Sequence, residues 1–221
     1  MSGGSWHERW TAQLDAGLKA LTLDLDDDRR DRLLGYLALM ARWNQAYNLT
    51  AVRDPADWIS RHVLDALSIL PWIRGRHWAD VGTGPGIPGM ILALVRPETH
   101  WLLIDSNGKK TRFLTQVALE LKVKNVRVIH DRVENVIPEV PLDGVTSRAF
   151  TALENMVRWC DPLIGVQTPL LAMKGQYPED EVRSLPAGWR VRETHALQVP
   201  GCDAARHLLI VERDGQAGES A

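Results

Sequence analysis

The stretch from Trp78 to Gly89 constrains the possible fold more than any other part of the sequence. Its apolar start, Trp78–Val81, is interrupted by one acid, and the apolar run Met90–Val95 follows it. Between the two runs lie glycines at alternate positions: Gly82, Gly84 and Gly86. This order predicts a buried strand, a tight turn and a helix with Pro88 in its first turn. Because glycine permits left-handed backbone angles, we expect unpaired N–H groups to face a ligand crevice at the end of the strand.

Two kinds of nucleotide site share this layout. The spacing Gly84-x-Gly86-x-x-Gly89, with Asp105 downstream, matches the fingerprint of dinucleotide-binding proteins. An acid two residues before the first glycine, here Asp80, followed by three alternate glycines resembles more closely the S-adenosylmethionine site of class I methyltransferases. A glycine-rich turn that binds no ligand is the least favoured interpretation. The choice between the two ligands depends on the rest of the chain.

Composition limits the class of protein. The 221 residues, 45% apolar and 24% charged, are enough for one domain with a helical extension. A net charge of −2 gives no whole-protein electrostatic argument for a nucleic-acid partner. The two cysteines, Cys160 and Cys202, lack metal-ligand spacing and indicate a reducing compartment. The chain shows neither a signal-like start nor an apolar run long enough for a membrane span, so we expect a soluble, cytoplasmic protein without a metal.

Helical patterns dominate the first third of the chain. A weak amphipathic pattern covers residues 1–22, and a second helix follows the capping acids Asp26–Asp28 and continues to about Ala46. A third helix is predicted to begin at Asp54-Pro55 and to continue to Leu70.

From residue 77 onward the pattern alternates between strands and helices. Seven segments predict strands: 78–81, 100–104, 126–129, 144–147, 170–173, 189–197 and 207–213. Such alternation predicts a mainly parallel, doubly wound α/β sheet. Only a turn at Pro200-Gly201 separates the last two segments, which predicts an antiparallel hairpin at the sheet edge, as class I methyltransferases have. We place a helical extension, a methyltransferase core and a flexible tail at residues 1–72, 73–213 and 214–221.

Candidate cofactor residues follow three of the predicted strands. Asp105 ends the second strand, where a carboxylate accepts hydrogen bonds from the ribose hydroxyls of a nucleotide. Val133 and Glu134 follow the third strand, and their backbone groups suit the edge of an adenine ring. Residues 146–150 follow the fourth strand and lack the Asp/Asn-Pro-Pro-aromatic motif of amino-methyltransferases. That absence argues against methylation of an exocyclic amine.

Further motifs lie between Leu33 and Glu212. They are Arg42-Trp43-Asn44-x-x-Tyr47-Asn48-Leu49-Thr50, Arg61-His62-x-x-Asp65, Asp80-Val81-Gly82-Thr83-Gly84-Pro85-Gly86-x-Pro88-Gly89, Asp105-Ser106, Arg112-Phe113-Leu114, Ser147-Arg148-Ala149-Phe150, Lys174-Gly175 and Arg206-His207-Leu208. In these motifs the chain resembles the RsmG family, also called GidB, which comprises bacterial 16S rRNA guanine-N7 methyltransferases. The first run and the Ser-Arg-Ala-Phe run are the most specific.

The resemblance implies a class I fold, S-adenosylmethionine as cofactor and methylation of N7 of one guanine in a 16S rRNA loop near the decoding centre. Predicted cofactor residues are Gly82, Gly84, Gly86, Ile87, Asp105, Val133, Glu134 and Arg148. The implied partner is 16S rRNA within the small ribosomal subunit or an assembly intermediate, and we expect a monomer. Guanine N7 carries a free lone pair and no proton, so the reaction requires no general base.

Three residues are candidates for presenting the guanine: Asn48, Arg148 and Lys174. A cation at the end of the fourth or fifth strand can donate a hydrogen bond to guanine O6, which lies beside N7. Two alternatives stay open. Arg148 can instead pair with a carboxylate near the cofactor, and Asn48 can serve as a helix C-cap.

Basic residues form three groups along the sequence. The first comprises Arg29, Arg30 and Arg32, and the third comprises Lys109, Lys110, Arg112, Lys122, Lys124 and Arg127. The second, Arg42, Arg53, Arg61 and His62, flanks the most specific N-terminal motif, and we predict that it contacts RNA phosphates. Because isolated phosphate contacts are weak and the net charge is −2, we predict a shaped ribonucleoprotein substrate rather than naked RNA.

Two other functions compete with methyl transfer. An NAD-dependent oxidoreductase would use the Gly84-x-Gly86-x-x-Gly89 spacing, but the chain lacks a recognisable hydride-transfer group such as a Tyr-x-x-x-Lys pair. A non-catalytic RNA-binding protein of ribosome assembly could have kept the fold, although an intact glycine motif with Asp105 argues against it. A measurement of catalytic turnover would distinguish a methyltransferase from these two alternatives.

Overall fold

A seven-stranded sheet forms the centre of the computed structural model, which describes residues 3–148 and 151–215. The strands are β1 (His77–Val81), β2 (His100–Asp105), β3 (Val126–His130), β4 (Gly144–Arg148), β5 (Leu170–Lys174), β6 (Trp189–Ala196) and β7 (His207–Arg213). Their order across the sheet is β3-β2-β1-β4-β5-β7-β6. The first five are parallel, whereas β7 runs antiparallel to β5 and β6. The predicted doubly wound sheet with an antiparallel edge hairpin is confirmed.

Helices cover both faces of this sheet. They are α1 (Gly3–Ala20), α2 (Asp27–Tyr47), α3 (Asp65–Leu67), α4 (Gly89–Val95), α5 (Gly108–Glu120), α6 (Leu153–Trp159) and α7 (Glu179–Arg183). Side chains of β1 alternate between two hydrophobic cores. Trp78 lies in the core that contains residues of α1, α2, α4 and α5, whereas Ala79 and Val81 lie in the core that contains α6. Among the described helices, none is long and apolar enough to cross a membrane.

Residues before the sheet contribute to the first of these cores. Asp26 caps α2 as predicted, since its carboxylate accepts a hydrogen bond from the N–H of Arg29 at 2.9 Å. Leu33 and Leu37 of α2 lie in the same core cluster as Met90 of α4. The helical region is therefore packed directly against the helix that follows the glycine turn, and α2 can influence the site at that turn.

The sequence predicts one continuous helix from Asp54 to Leu70, and that prediction is wrong in detail. Asp54 does cap a helical turn with Pro55 at its start, but a π-helical turn, Ile59–Leu64, precedes the short α3. The predicted apolar positions are all buried: Ile59, Val63, Ala66, Leu67 and Leu70. Two polar residues, His62 and Asp65, are buried with them. Hydrophobic periodicity does not anticipate a π turn, which in other proteins often marks a functional site.

Candidate active site

The glycine turn between β1 and α4 has the backbone conformation that the sequence predicted. The φ angles are 65°, 61° and 100° at Gly82, Gly84 and Gly86. Gly86 is also a packing position, because a Cβ there would lie 2.6 Å from Cβ of Met90 and 2.7 Å from Cδ2 of Leu114. No such crowding exists at Gly84, where the nearest atom to a Cβ is 3.8 Å away. The alternate glycines therefore serve different purposes within one turn.

Asp80 holds the turn from inside the protein. Its buried carboxylate accepts hydrogen bonds from the hydroxyl of Thr83 at 2.6 Å, the N–H of Gly89 at 2.8 Å and the hydroxyl of Thr146 at 3.2 Å. Burial raises the pKa of Asp80 to about 6, although the three donors act in the opposite direction. Gly89 is the first residue of α4, so Pro88 takes the N-cap position rather than the first turn that was predicted. Asp80 thus ties β1, β4 and α4 together.

Several N–H groups of the turn are bonded within the protein, so the prediction of unpaired donors facing the crevice is wrong at these positions. The N–H of Gly84 donates to the carboxylate of Asp105 at 2.8 Å. Those of Gly86 and Ile87 donate to the carbonyl of Thr83 at 2.9 and 3.0 Å. The carboxylate of Asp105, at the end of β2, and the carbonyl of Thr83, within the turn, accept these hydrogen bonds. These three N–H groups are therefore already paired and do not face the crevice as free donors.

A first cavity, of about 300 Å³, opens at the carboxyl ends of β1 and β2. Its walls include Gly82, Ile104, Asp105, Val133, Glu134 and Trp159. The Asp105 carboxylate also accepts a hydrogen bond from the N–H of Asn107 at 2.8 Å, which fixes its orientation. Four of the predicted cofactor residues, Gly82, Asp105, Val133 and Glu134, therefore line one cavity, while Gly84, Gly86 and Ile87 belong to the turn beside it.

A second cavity, of about 290 Å³, lies at the carboxyl ends of β4 and β5 and at the start of β7. Its walls include Arg61, His62, Asp65, Arg148, Lys174 and Arg206. The structure thus brings Arg148 and Lys174 together, as the sequence predicted. Because β1 and β4 are neighbouring parallel strands, the two cavities lie side by side at the end of the sheet that is formed by the carboxyl ends of these strands. Ligand sites of open α/β sheets lie at such a reversal of strand order.

Arg148 has a carboxylate partner, although this partner does not line the first cavity. Its Nη1 donates to Oδ2 of Asp65 at 2.7 Å and to the carbonyl of Arg61 at 2.9 Å. The same carboxylate accepts a hydrogen bond from Nε of Arg206, at 3.0 Å from Oδ1. The Asp65 side chain is only 2% exposed. One buried acid therefore joins two arginines from distant parts of the chain.

His62 is neutral beneath these arginines. Its Nε2 lies 2.9 Å from the hydroxyl of Thr50, and its Nδ1 lies 3.0 Å from the carbonyl of Arg61. Because that carbonyl can only accept, a hydrogen on Nδ1 satisfies it and Nε2 then accepts from Thr50; Nη2 of Arg148 also lies 3.5 Å from Nδ1. Burial and the nearby positive charge of Arg148 lower the pKa of His62 to about 3.

The members of the predicted second basic group differ in burial and in their partners. His62 is buried and uncharged, as shown above. Arg42 lies on α2 and pairs with Glu120 of α5 at 2.6 Å, whereas Arg61 lines the second cavity. His62 therefore cannot contribute a charge to this group, whereas Arg42, Arg53 and Arg61 are exposed, and their contact with RNA phosphates stays a prediction.

The other two candidates for presenting the base differ in position. Nζ of Lys174 donates to the carbonyl of Thr151 at 2.8 Å and to Glu181 at 2.7 Å, while its side chain stays in the wall of the second cavity. Asn48 is an exposed C-cap of α2 with a left-handed backbone, which is the open alternative of the sequence analysis. It lines neither cavity. Ala149 and Phe150 of the Ser-Arg-Ala-Phe run lie outside the described residues.

A family model described as "GidB: rRNA small subunit methyltransferase G" matches residues 29–209. The chain belongs to this family. Among curated relatives of that name, the protein of Marinobacter nauticus is 56% identical over 94% of this chain and 97% of its own length. The corresponding protein of Pseudomonas aeruginosa PAO1 is 54% identical over 91% of this chain and 94% of its own length.

Solved structures support the fold at low identity. A SAM-dependent methyltransferase from Aquifex aeolicus superposes with a TM-score of 0.56 at 16% identity, over 75% of this chain and 97% of that chain. A mutant of MtNAS in complex with S-adenosylmethionine gives 0.55 at 16% identity, over 84% of this chain and 76% of that chain. Fold and family together confirm the class I methyltransferase architecture and the predicted cofactor, S-adenosylmethionine.

Three residues of this GidB-family site were given no role by the sequence. Asp65 and Arg206 stand in motifs that carry the resemblance, so the motifs pointed to them without showing their contact. Tyr36 of α2 stands in none of these motifs, yet its buried hydroxyl donates to the carbonyl of Pro85 in the glycine turn at 2.9 Å. Burial raises the pKa of Tyr36 far above its usual range, so the hydroxyl stays protonated and remains a donor.

Proposed function

We propose that this protein transfers the methyl group of S-adenosylmethionine to N7 of a guanine in a loop of 16S rRNA near the decoding centre. The observation that carries the proposal is the pair of neighbouring cavities at the carboxyl ends of the parallel strands. One has the walls of a nucleoside site, and the other is lined by cationic side chains. Substrate class and target atom rest on the family resemblance, and the geometry and chemistry below support them.

Residues of the first cavity suit an adenosine group. Asp105 holds its carboxylate rigidly with two backbone donors, and each oxygen keeps a lone pair for a ribose hydroxyl. Val133 and Trp159 supply flat or branched apolar surface for an adenine ring, and Glu134 follows at the same wall. Gly82 leaves room at the end of β1, where the rest of the cofactor would pass toward β4.

The main requirement that this reaction places on the protein is to align guanine N7 with the methyl carbon and the sulfur. S-adenosylmethionine, when bound, supplies an electrophilic methyl group on a positively charged sulfur. As N7 forms its bond to the methyl carbon, the carbon–sulfur bond breaks, its electron pair stays on sulfur and the positive charge moves to the guanine. N7 carries no proton, so no residue has to remove one. Holding two reactants in line can lower a barrier by about 7–11 kcal/mol.

Arg148 and Lys174 are the residues we propose for holding the base. Each is placed at the carboxyl end of a strand, beside the neighbouring cofactor cavity. A hydrogen bond from either side chain to guanine O6 would orient the ring. Because both donors are cations, they do not stabilise the positive charge that the guanine acquires, so the role of this bond is orientation. Neither can donate to N7, because that would occupy the attacking lone pair. Asn48 lines neither cavity and caps the end of α2, so we do not assign it this role.

The target is an unpaired base, since a loop guanine is presented at lower cost than a stacked and paired one. We propose that the small subunit or an assembly intermediate presents it, that the enzyme acts as a monomer and that it works in the cytoplasm, where ribosomes assemble. Within the described residues no group of acids, histidines and cysteines has the arrangement of a metal site.

Transfer of a labelled methyl group to small subunits that lack the modification tests the proposal. Cleavage at N7-methylguanine should then map the label to one guanine in 16S rRNA. Label at another atom or on another RNA would overturn the proposed target. S-adenosylmethionine binding without turnover would favour the non-catalytic alternative, and binding of NAD in its place would favour the oxidoreductase.

A further inference from the structure

Two arginines and one buried aspartate meet at the second cavity, although they come from three separate segments. Asp65 belongs to α3, Arg148 ends β4 and Arg206 immediately precedes β7. The contacts join residues that are 83 and 141 positions apart in the sequence. Side-chain exposure is 22% for Arg148 and 18% for Arg206, so both guanidinium groups reach the cavity from a largely buried position.

The charges of this group do not cancel. One carboxylate is hydrogen-bonded to two guanidinium groups, and the nearby Lys174 is balanced by Glu181 at 2.7 Å. The buried Asp80 also acts on Arg148 through space, whereas Arg61 adds a further cation to the same cavity wall. A buried acid needs only one cation to neutralise it, and a second half-buried cation adds a desolvation cost. The excess positive charge therefore lies at the cavity, where an anionic ligand would compensate it.

Arg206 also has hydrogen-bonding capacity to spare. Its Nε donates to Asp65 and its Nη1 donates to the carbonyl of Ala205 at 2.9 Å. Its Nη2 makes no hydrogen bond to any residue that the structure describes, and the side chain lines the cavity. A guanidinium that is held through Nε and Nη1 and keeps Nη2 available can donate a charge-assisted hydrogen bond to a phosphate oxygen.

We propose that Asp65 is a positioning residue that fixes Arg148 and Arg206 relative to each other, and that Arg206 binds an RNA backbone phosphate beside the guanine that Arg148 faces. This inference rests on the proposed function. It assigns distinct roles within one ion-pair group: Arg148 orients the base, Arg206 holds the strand, and Asp65 sets the distance between them.

The phosphate contact is tested by measuring how tightly Arg206→Gln binds small subunits over a range of salt concentrations. Loss of one phosphate contact should weaken binding about tenfold and reduce the slope of log affinity against log salt by about 0.7–0.9. Affinity for S-adenosylmethionine, measured by calorimetry, should not change. Arg206→Lys keeps the charge and should restore the slope.

Arg213→Gln is the matched control. Arg213 lies at the other end of β7, pairs with Asp161 at 2.6 Å and is 33% exposed, so it resembles Arg206 without lining the cavity. Its salt slope should equal that of the wild type. An unchanged slope in Arg206→Gln, with wild-type methylation of the mapped guanine intact, refutes the phosphate contact alone. A wild type that methylates no 16S rRNA guanine refutes the proposed function instead.

Asp65→Asn separates positioning from charge. The substitution removes a negative charge from the cavity, so electrostatics alone predicts equal or tighter binding of small subunits. Misplaced arginines should nevertheless lower kcat about 100-fold. Because Arg206 is misplaced as well, subunit binding should weaken, against the electrostatic expectation. A normal kcat in the folded variant, or binding as tight as that of the wild type, would overturn the positioning role. If Asp65→Asn does not fold, the kcat of Arg206→Lys decides: a value lowered below that of the wild type as far as in Arg206→Gln supports geometric placement, and a wild-type kcat in Arg206→Lys contradicts it.

Discussion

At the scale of single residues, two buried acids near the site serve different purposes because their partners differ. Asp80 is surrounded by neutral donors from Thr83, Gly89 and Thr146, and burial raises its pKa to about 6. Asp65 meets two guanidinium groups. The first acid therefore shapes the glycine turn, whereas the second organises charge at the cavity where we place the RNA.

The low pKa of His62 predicts how stability depends on pH. Folding lowers its pKa from 6.5 to about 3, so the unfolded chain binds the proton more readily than the folded protein between these values. Stability from this residue is fully present above pH 6.5 and is lost as the pH falls. Between pH 7 and pH 5 the loss should be about 2 kcal/mol.

Urea unfolding of the wild type and His62→Gln at both pH values measures this effect. Glutamine can accept the hydrogen bond from Thr50 but does not titrate, so the variant should lose about 2 kcal/mol less than the wild type on acidification. All other titrating groups are common to both proteins and cancel in the comparison. Identical losses in the two proteins would show that His62 is not held neutral.

At the scale of elements, α2 connects the two cavities. Tyr36 in its middle donates to the carbonyl of Pro85 in the glycine turn. Near its end, Oδ1 of Asn44 accepts a hydrogen bond from the N–H of Thr50 at 3.2 Å, and the Thr50 hydroxyl reaches His62. One helix before the sheet thus supports both the cofactor turn and the floor beneath Arg148.

Tyr36→Phe should loosen the glycine turn without changing the core volume much. The variant leaves a buried carbonyl without its donor, which costs about 1–2 kcal/mol of stability. A less ordered turn should weaken S-adenosylmethionine binding about fivefold, or about 1 kcal/mol. Calorimetry and urea unfolding measure the two effects. Tyr47→Phe, which removes a hydroxyl from a side chain that is 41% exposed, should change neither quantity. Equal cofactor affinity in Tyr36→Phe and wild type would separate α2 from the cofactor site.

Local patterns were sufficient for most elements and insufficient for the contacts between them. Strand and turn positions follow from alternation and from glycine spacing, which involve neighbouring residues, and the seven strands lie where the sequence placed them. The π turn at Ile59–Leu64 and the joining of Asp65 to Arg206 depend on residues far apart in the chain. A single sequence contains no local signal for such contacts, so it did not show that His62 is buried or that Asp65 pairs with two arginines.

At the scale of the whole molecule, many surface cations are paired. Arg29 and Arg32 face Asp26 and Asp28, and Arg42 faces Glu120. With a net charge of −2, the charge of the whole protein gives RNA little long-range attraction. Affinity for the substrate must then come from shape and from a few well-placed contacts, which a folded ribonucleoprotein can present and a flexible RNA cannot.

This distribution of charge predicts a strong preference among substrates that share one target sequence. A naked hairpin has to be ordered on binding and offers few phosphates to the cavity, so its kcat/KM should be roughly 100-fold below that of small subunits. Protein-free 16S rRNA should fall between the two, because its tertiary structure is only partly formed. Methyl transfer to all three at one salt concentration measures the order. Equal rates on the hairpin and the subunit would mean that the cavity alone recognises the loop, and the surrounding ribonucleoprotein would then contribute nothing to selection.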